Sequence, residues 1–199
     1  MKEFVIATNN PKKLIEIQRI LTPLGIRAVT AAEKGIDLGD VVEDGSTFME
    51  NAFIKAKSAY DKCALPVVAD DSGLCVDALG GRPGIYSARY AGDHSPYPVK
   101  IAALLAELDG VPDEQRTAHF TCAVCCILSD EEMIRVEGRC DGRIAHAPDG
   151  SSGFGYDPVF TVGGRSFATL TDAEKDSLSH RGNALRMLQK ALSERKEEL

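Results

Sequence analysis

The chain has 199 residues, 44% of them apolar, which is enough for a folded core and argues against disorder. Its 30 acidic side chains outnumber 23 lysines and arginines, and the formal net charge of -7 disfavours bulk attraction to nucleic acid. The longest apolar runs, Phe4 to Ala7 and Ala123 to Leu128 among them, fall far short of the roughly 20 residues of a membrane helix, and Met1-Lys2-Glu3 carries no secretion-signal pattern. A soluble, cytoplasmic protein is the expectation.

In chain order, Phe4 to Ala7 read as a short strand that breaks at Asn9-Asn10-Pro11. A helix follows with Leu14, Ile17, Ile20, Leu21 and Leu24 as its apolar stripe. Gly25 stops it, and Ile26 to Thr30 read as the next strand, a βαβ beginning. After the acidic, turn-rich stretch from Gly35 to Gly45, Thr47-x-x-Glu50 has the capping-box spacing that opens a helix over "TFMENAFIKAKSAYDK". Val67 to Ala69 form a third strand, ending on Asp70-Asp71 with a turn at Ser72-Gly73. "GGRPG", Gly80 to Gly84, is a loop, and Pro96 and Pro98 lead into a helix from Val99 to Leu108.

From Thr117 to Asp141 two β-like runs flank "SDEE", an antiparallel hairpin on the same sheet or a second lobe. Four of the six cysteines lie here. Cys122 and Cys125 have C-x-x-C spacing, but "HFTCAVCCIL" reads as a buried strand in which their side chains diverge, which disfavours a metal site. The thiols fit a reducing compartment. A second capping box, Thr171-x-x-Glu174, precedes a last helix with Leu185, Leu188 and Leu192 on one face. With no internal repeat and no linker, the chain reads as a single domain over 1–199, an α/β fold with a mixed sheet.

Several stretches carry chemistry. Thr8, Asn10 and Lys13 sit between the first strand and first helix, where free N–H groups and the helix dipole favour an anion; a solvated turn with surface lysines is the plainer reading. No Walker pattern and no G-x-G-x-x-G occurs, so a phosphate cradle would be of another type. Thr47, Asn51 and Lys55, spaced by four, share a helix face that is either wet or turned to a site.

Asp70 and Asp71 repel one another unless something positive lies beside them. Mg²⁺, commonly held by one or two carboxylates plus substrate phosphates, is one solution, with Glu43 as a third acid; a turn cap at Asp71-Ser72-Gly73 is the other. "SSGFGYDPVF" sets Phe154 and Tyr156 among glycines, a base-stacking loop or an ordinary turn. Lys175 and Ser179-His180-Arg181-Gly182 lie at the junction into the last helix.

In order, "TNNPKK", "EDGSTFMENAFIKA", "ADDSGLCVDALGGRPGIYSARYAG", "GFGYDPVF" and "EKDSLSHRGNAL" together resemble the inosine triphosphate pyrophosphatase family, over nearly the whole chain. The resemblance implies an elongated mixed α/β structure, a β-sheet flanked by helices with two lobes and a central cleft, and a Mg²⁺-dependent homodimer. Such an enzyme hydrolyses non-standard purine nucleoside triphosphates (ITP, dITP, XTP) to the monophosphate and pyrophosphate.

It further implies that Thr8, Asn9, Asn10, Pro11, Lys12, Lys13 and Lys55 meet the phosphates, Lys12 least securely, and that Ser72 contacts substrate. Glu43 and Asp71 would hold Mg²⁺, with Asp71 also orienting or deprotonating water. Phe154 would stack on the purine; Gly155, Tyr156 and Asp157 would shape its pocket; Lys175, His180 and Arg181 would reach the nucleotide. Arg181 would donate to the 6-oxo group. A nucleotide sensor that binds without hydrolysis, and a pyrophosphatase of other modified nucleotides, are the competing readings; neither nucleic acid nor membrane is an expected partner.

Overall fold

The structure, a computed structural model, describes residues 2–39, 41–63 and 65–197, without the side chains of Lys2, Leu24, Lys196 and Glu197. β1 (Lys2–Ile6) leads through Asn10 into α1 (Pro11–Leu21), and β2 (Ile26–Thr30) returns parallel to β1, with Lys2 opposite Ile26 and Ile6 opposite Thr30. A short 3₁₀ turn ends at Gly25, whose φ of 72° is the left-handed stop that a side chain disfavours. α2 (Phe48–Cys63) connects to β3 (Val67–Val76), which lies parallel to β1 on its other edge, Val5 opposite Val67.

Next come α3 (Tyr97–Glu107), β4 (Thr117–Ile127), β5 (Met133–Ile144), β6 (Phe160–Val162), β7 (Arg165–Ser166), α4 (Asp172–Leu178) and α5 (His180–Glu197). The mixed sheet has the order β2-β1-β3-β4-β5-β6-β7, so the two β-like runs of the Thr117–Asp141 region join the same sheet. β6 and β7 are an antiparallel pair joined by Gly163-Gly164, at φ 58° and 79°, the two left-handed residues that a two-residue hairpin of this kind demands. Among the described residues no helix is long and apolar enough to cross a membrane.

Of the boundaries that differ from the sequence reading, two have a clear physical reason. α3 begins at Tyr97, two residues before the expected Val99, because Pro98 fits the first helical turn, where no N–H is needed. β3 does not turn at Ser72-Gly73; it runs on to Val76, with Asp70 and Asp71 in mid-strand and buried. The charges do not break the strand because each is neutralised in place, as described below.

The chain divides into two compact units. One contains the residues up to Asp71, Cys122–Gly138 and those from His180 onward; the other contains Ser72–Thr121 and Arg139–Ser179. In the first, strand alternation sorts the core into two layers. Phe4, Ile6, Val68, Cys122, Val124 and Cys126 pack with Ile17 and Leu21 of α1 and Leu185 and Leu188 of α5. Val5, Ala7, Val67, Ala69, Ala123 and Cys125 pack instead with Ala52, Ala56 and Ala59 of α2. α1 and α5 therefore cover one face of these strands and α2 the other, the arrangement expected of parallel strands buried on both sides. Cys122 and Cys125 fall in different layers, as their spacing on a strand requires, and no group of three or more potential ligands stands ready for a metal among the described residues. In the second unit Phe120, Phe160 and Phe167 pack edge-on, with centroids 4.7 and 4.9 Å apart, beside Leu74, Leu104 and Leu108.

Gly138 on β5 lies against the start of α5: a Cβ there would collide with the carbonyl of His180 and the backbone of Ala184, whose Cα would be 2.9 Å away. Backbone cannot give way as a flexible side chain does. Gly138→Ala should therefore lower stability to urea by about 1–3 kcal/mol or more, and a midpoint equal to that of the parent protein would refute this close approach.

Candidate active site

The turn between β1 and α1 is built by its own side chains. Thr8 Oγ1 accepts from the Asn10 N–H (3.1 Å), and Asn10 Oδ1 accepts from the N–H groups of Lys12 (3.0 Å) and Lys13 (3.3 Å). Asn10 is thus the N-cap and Pro11 the first helical residue, a combination the sequence favours at a helix start. Asn9, Pro11 and Lys12 are exposed, whereas Lys13, one step further round the helix, is half-buried and pairs with Asp70 Oδ2 at 3.0 Å.

Asp70 is the centre of a buried charge network. Besides Lys13, its Oδ2 accepts from Arg181 Nη2 (3.1 Å) and Nε (3.4 Å), and the Cys122 thiol lies 3.7 Å away. Arg181, at the start of α5 and 2% exposed, also donates through Nη1 to Glu16 of α1. Burial pushes the Asp70 carboxyl up, but Lys13, Arg181 and Lys55 outweigh it and hold the group far below the usual carboxylate range. Its second oxygen, Oδ1, is buried with no hydrogen-bond partner among the described residues.

Asp71 belongs to a separate cluster. Its Oδ1 pairs with Lys55 Nζ at 2.9 Å, and its Oδ2 accepts from Asn51 Nδ2 at 3.3 Å. Lys55 Nζ also meets Glu43 Oε2 at 2.9 Å, and Asn51 Oδ1 accepts from the Gly45 N–H at 2.9 Å. A side chain on Gly45 would strike Asn51 and Glu50, so glycine lets the acidic segment close onto α2. The polar stripe of α2 accordingly splits: Asn51 and Lys55 turn to Asp71, while Thr47 caps the helix by accepting from the Glu50 N–H at 3.1 Å.

Burial raises the proton affinity of Asp71, Glu43 pushes the same way, and Lys55 and Lys13 oppose without prevailing. Burial works against the Lys55 ammonium, yet Asp71, Asp70 and Glu43 keep it charged. Asp71 is therefore a better proton acceptor than a surface aspartate, and it is held against a cation.

Glu43 and Asp71 thus converge on one cationic position, with two hard oxygen donors and no third acidic ligand among the described residues. This donor set fits a cation that completes its shell with water and substrate oxygens, the habit of Mg²⁺. Asp70 is not part of it.

In the second unit, Ser72 is half-buried on β3. Asp157 Oδ2 accepts from the Phe154 N–H (2.8 Å) and pairs with Lys175 Nζ (2.7 Å), and that ammonium lies 4.7 Å over the Phe154 ring. Gly153 and Gly155 hold φ of 74° and 68°, and a Cβ on Gly153 would run into the Asp157 carboxylate. Tyr156 is 2% exposed, and its hydroxyl donates to the Ser87 carbonyl at 2.9 Å, so it supports the loop from within the core.

His180 and Arg181 are buried at the start of α5 in the first unit. Arg181 donates through Nε and Nη2 to Asp70 and through Nη1 to Glu16, the counter-charge that two carboxylates buried together need. Glu16 was outside the expected set. Its signal was an acid set between Ile15 and Ile17, three residues beyond Lys13 on α1.

A sequence model of the Ham1 family matches residues 4–191. A dITP/XTP pyrophosphatase of Geobacillus kaustophilus is 50% identical over 190 residues, covering 94% of this chain and 93% of its own. One from Bacillus subtilis is 47% identical over 194 residues, covering 96% and 98%. The solved structure of a HAM1 protein from Coxiella burnetii matches with a TM-score of 0.87 at 40% identity, covering 98% of this chain and all of that one.

The depressed Asp70 carboxyl has a stability consequence of definite sign. Its contribution is complete above the ordinary carboxylate value near 4 and is lost as pH falls below it. The urea midpoint should therefore drop on going from pH 6 to pH 3, and less steeply in Asp70→Asn; identical slopes in the two proteins would remove Asp70 as a source of the acid sensitivity.

Proposed function

Because the chain belongs to the Ham1 family over nearly its whole length, we propose that it hydrolyses non-standard purine nucleoside triphosphates such as ITP, dITP and XTP to the monophosphate and pyrophosphate. The observation that carries this reading is the pairing of Lys13 and Lys55 with two adjacent strand carboxylates, Asp70 and Asp71, one of them raised in proton affinity. Such a set can receive phosphates and accept a proton.

In the reaction a water oxygen bonds to the α phosphorus and the bond from that phosphorus to the α–β bridging oxygen breaks. The electron pair leaves with pyrophosphate, and the water proton passes to the Asp71 carboxylate. Proton removal by a placed carboxylate contributes about 10²- to 10⁴-fold. Lys13 and Lys55 hold the phosphate oxygens and offset the charge that gathers on the leaving group. The Thr8–Lys13 turn adds the N-terminus of α1 on the same side of the account: Asn10 already occupies two of its N–H groups, so the helix dipole and Lys13 act more than free N–H donors.

Glu43 and Asp71 would hold Mg²⁺, which when bound screens the phosphate charge. Phe154 would stack on the purine and Ser72 would touch substrate; Lys175, fixed by Asp157, keeps the Phe154 ring in place. His180 and Arg181 act in this reading from within the core, Arg181 by fixing Asp70 and through it Lys13. A homodimer in the cytoplasm completes the proposal, and sequence identity to named pyrophosphatases supports it over a sensor that binds without hydrolysis.

Asp71→Asn should abolish pyrophosphate release from ITP while nucleotide binding falls only modestly; turnover equal to the parent's would remove Asp71 from the mechanism. Lys13→Ala should raise KM for the triphosphate about ten- to a hundredfold, the scale of a lost charge-assisted hydrogen bond. If kcat alone fell, the ground-state contact assigned to Lys13 would be wrong. Equal rates for ITP, XTP, ATP and GTP in a matched panel would refute the non-standard-purine preference itself.

A further inference from the structure

The acidic segment that carries Glu43 has no helix or strand of its own over residues 41–45, so its place depends on the side chains that reach it. α2 supplies them from one face. Lys62 Nζ donates to the carbonyls of Asp37 and Leu38, both at 2.8 Å, Lys55 Nζ meets Glu43, and Asn51 Oδ1 accepts from the Gly45 N–H. Positions 62, 55 and 51 share a helix face, so the segment is laid along α2 in the opposite direction. At its end Glu50 Oε2 accepts from both the N–H and the hydroxyl of Ser46, each at 2.6 Å.

Asn51 has no task in the proposed function, yet it is the member of this set, besides Lys55, that also touches the Asp71 carboxylate. It is 1% exposed. In a helix interior asparagine is a poorer choice than alanine, and burying its amide costs free energy unless both ends are bonded. Both ends are. The carbonyl takes the Gly45 N–H at 2.9 Å and the amide nitrogen donates to Asp71 Oδ2 at 3.3 Å, while Lys55, one turn on, holds Asp71 Oδ1. Turned over, the amide would set its carbonyl against the carboxylate and its nitrogen against the Gly45 N–H, so the two bonds stand or fall together. One planar group thus ties the backbone just beyond Glu43 to the second oxygen of Asp71. With one oxygen on Lys55 and the other on Asn51, the Asp71 carboxylate cannot rotate without breaking a bond.

We propose that Asn51 is a positioning residue for the reaction, a latch that sets the Glu43 segment against the Asp71 carboxylate so that the two acids face one cation position. This rests on the pyrophosphatase reading and deepens it. Asn51 acts only through Asp71 and Gly45. Gly45 is the matching half of the latch: a Cβ there would lie 2.7 Å from Asn51 Oδ1 and 2.7 Å from Glu50 Cβ. Alanine at that place therefore opens the latch from the segment's side without altering any side chain that touches Asp71.

The test is a cycle of Asn51→Leu, Gly45→Ala and the double variant, in the full chain with Mg²⁺ and ITP, at a temperature where circular dichroism shows the proteins folded. Leucine keeps nearly the volume of asparagine and removes both bonds. Each single variant should lose about ten- to a hundredfold in kcat, the scale of a displaced supporting contact, while KM for ITP changes by less than about threefold because Lys13 and Lys55 remain. The double variant should come within about twofold of the less active single, since both changes open one latch. Hydrogen exchange read by mass spectrometry follows the latch without turnover: a peptide containing the Gly45 amide should exchange faster in either single variant, with β3 unchanged. If Asn51→Leu does not fold, Gly45→Ala decides by the same kcat, KM and exchange criteria. A parent-like kcat, a loss carried by KM alone, single losses that multiply in the double variant, or unchanged exchange at Gly45 each overturn the inference and leave the pyrophosphatase reading intact. No release of pyrophosphate from ITP by the parent protein would sink that reading and this inference with it.

Discussion

Two adjacent aspartates in the middle of a buried strand are tolerable only if each finds its own cation, and that requirement organises the first unit. Successive residues on β3 point to opposite faces. Asp70 shares the face of Val68, which α1 and α5 cover, and it meets Lys13 from α1 and Arg181 from α5. Asp71 shares the face of Ala69, which α2 covers, and it meets Lys55 and Asn51 from α2. An unpaired charge buried here would cost several kcal/mol, a large fraction of what keeps a domain folded. The helices that close the hydrophobic layers are therefore also those that deliver the counter-charges.

The same sorting gives the two carboxylates different chemistry. Asp70, enclosed by two cations, is held ionised far below its ordinary range and has little to offer as a base. Asp71, buried with Glu43 and a single close lysine, has its proton affinity raised. Neighbouring residues of one type are pushed apart by their environments, a pattern that assigns roles to acid–base groups. Repulsion between the pair, the reason for expecting a shared cation, is relieved instead by opposite orientation; the case for Mg²⁺ rests on Asp71 with Glu43 across Lys55.

The second unit answers a different demand, holding an aromatic ring still without burying it. Asp157 does this with one oxygen, taking the Phe154 N–H and the Lys175 ammonium together, so that backbone and cation fix the ring from two directions. Glycines on either side of Phe154 are required by positive φ, and at Gly153 also by the closeness of Asp157. Tyr156 props the loop from the core through its bond to Ser87.

Much of this was legible in the sequence because it is set by local chemistry. The Asn10 cap, the Gly25 stop, the parallel β1–α1–β2 beginning, the Thr171–Glu174 box and the diverging cysteines all follow from rules acting over a few residues. Five motifs in order also singled out the candidates for phosphate and metal contacts. What the sequence could not determine was which way those groups face and what they touch. The Asp-Ser-Gly stretch read as a turn because local preference favours one, whereas in the fold it continues β3, with Asp70 and Asp71 met by cations from α1, α2 and α5. Arg181 lies 165 residues from Glu16 and 111 from Asp70 along the chain; no short-range pattern encodes those pairings, and tertiary packing alone brings the three side chains together.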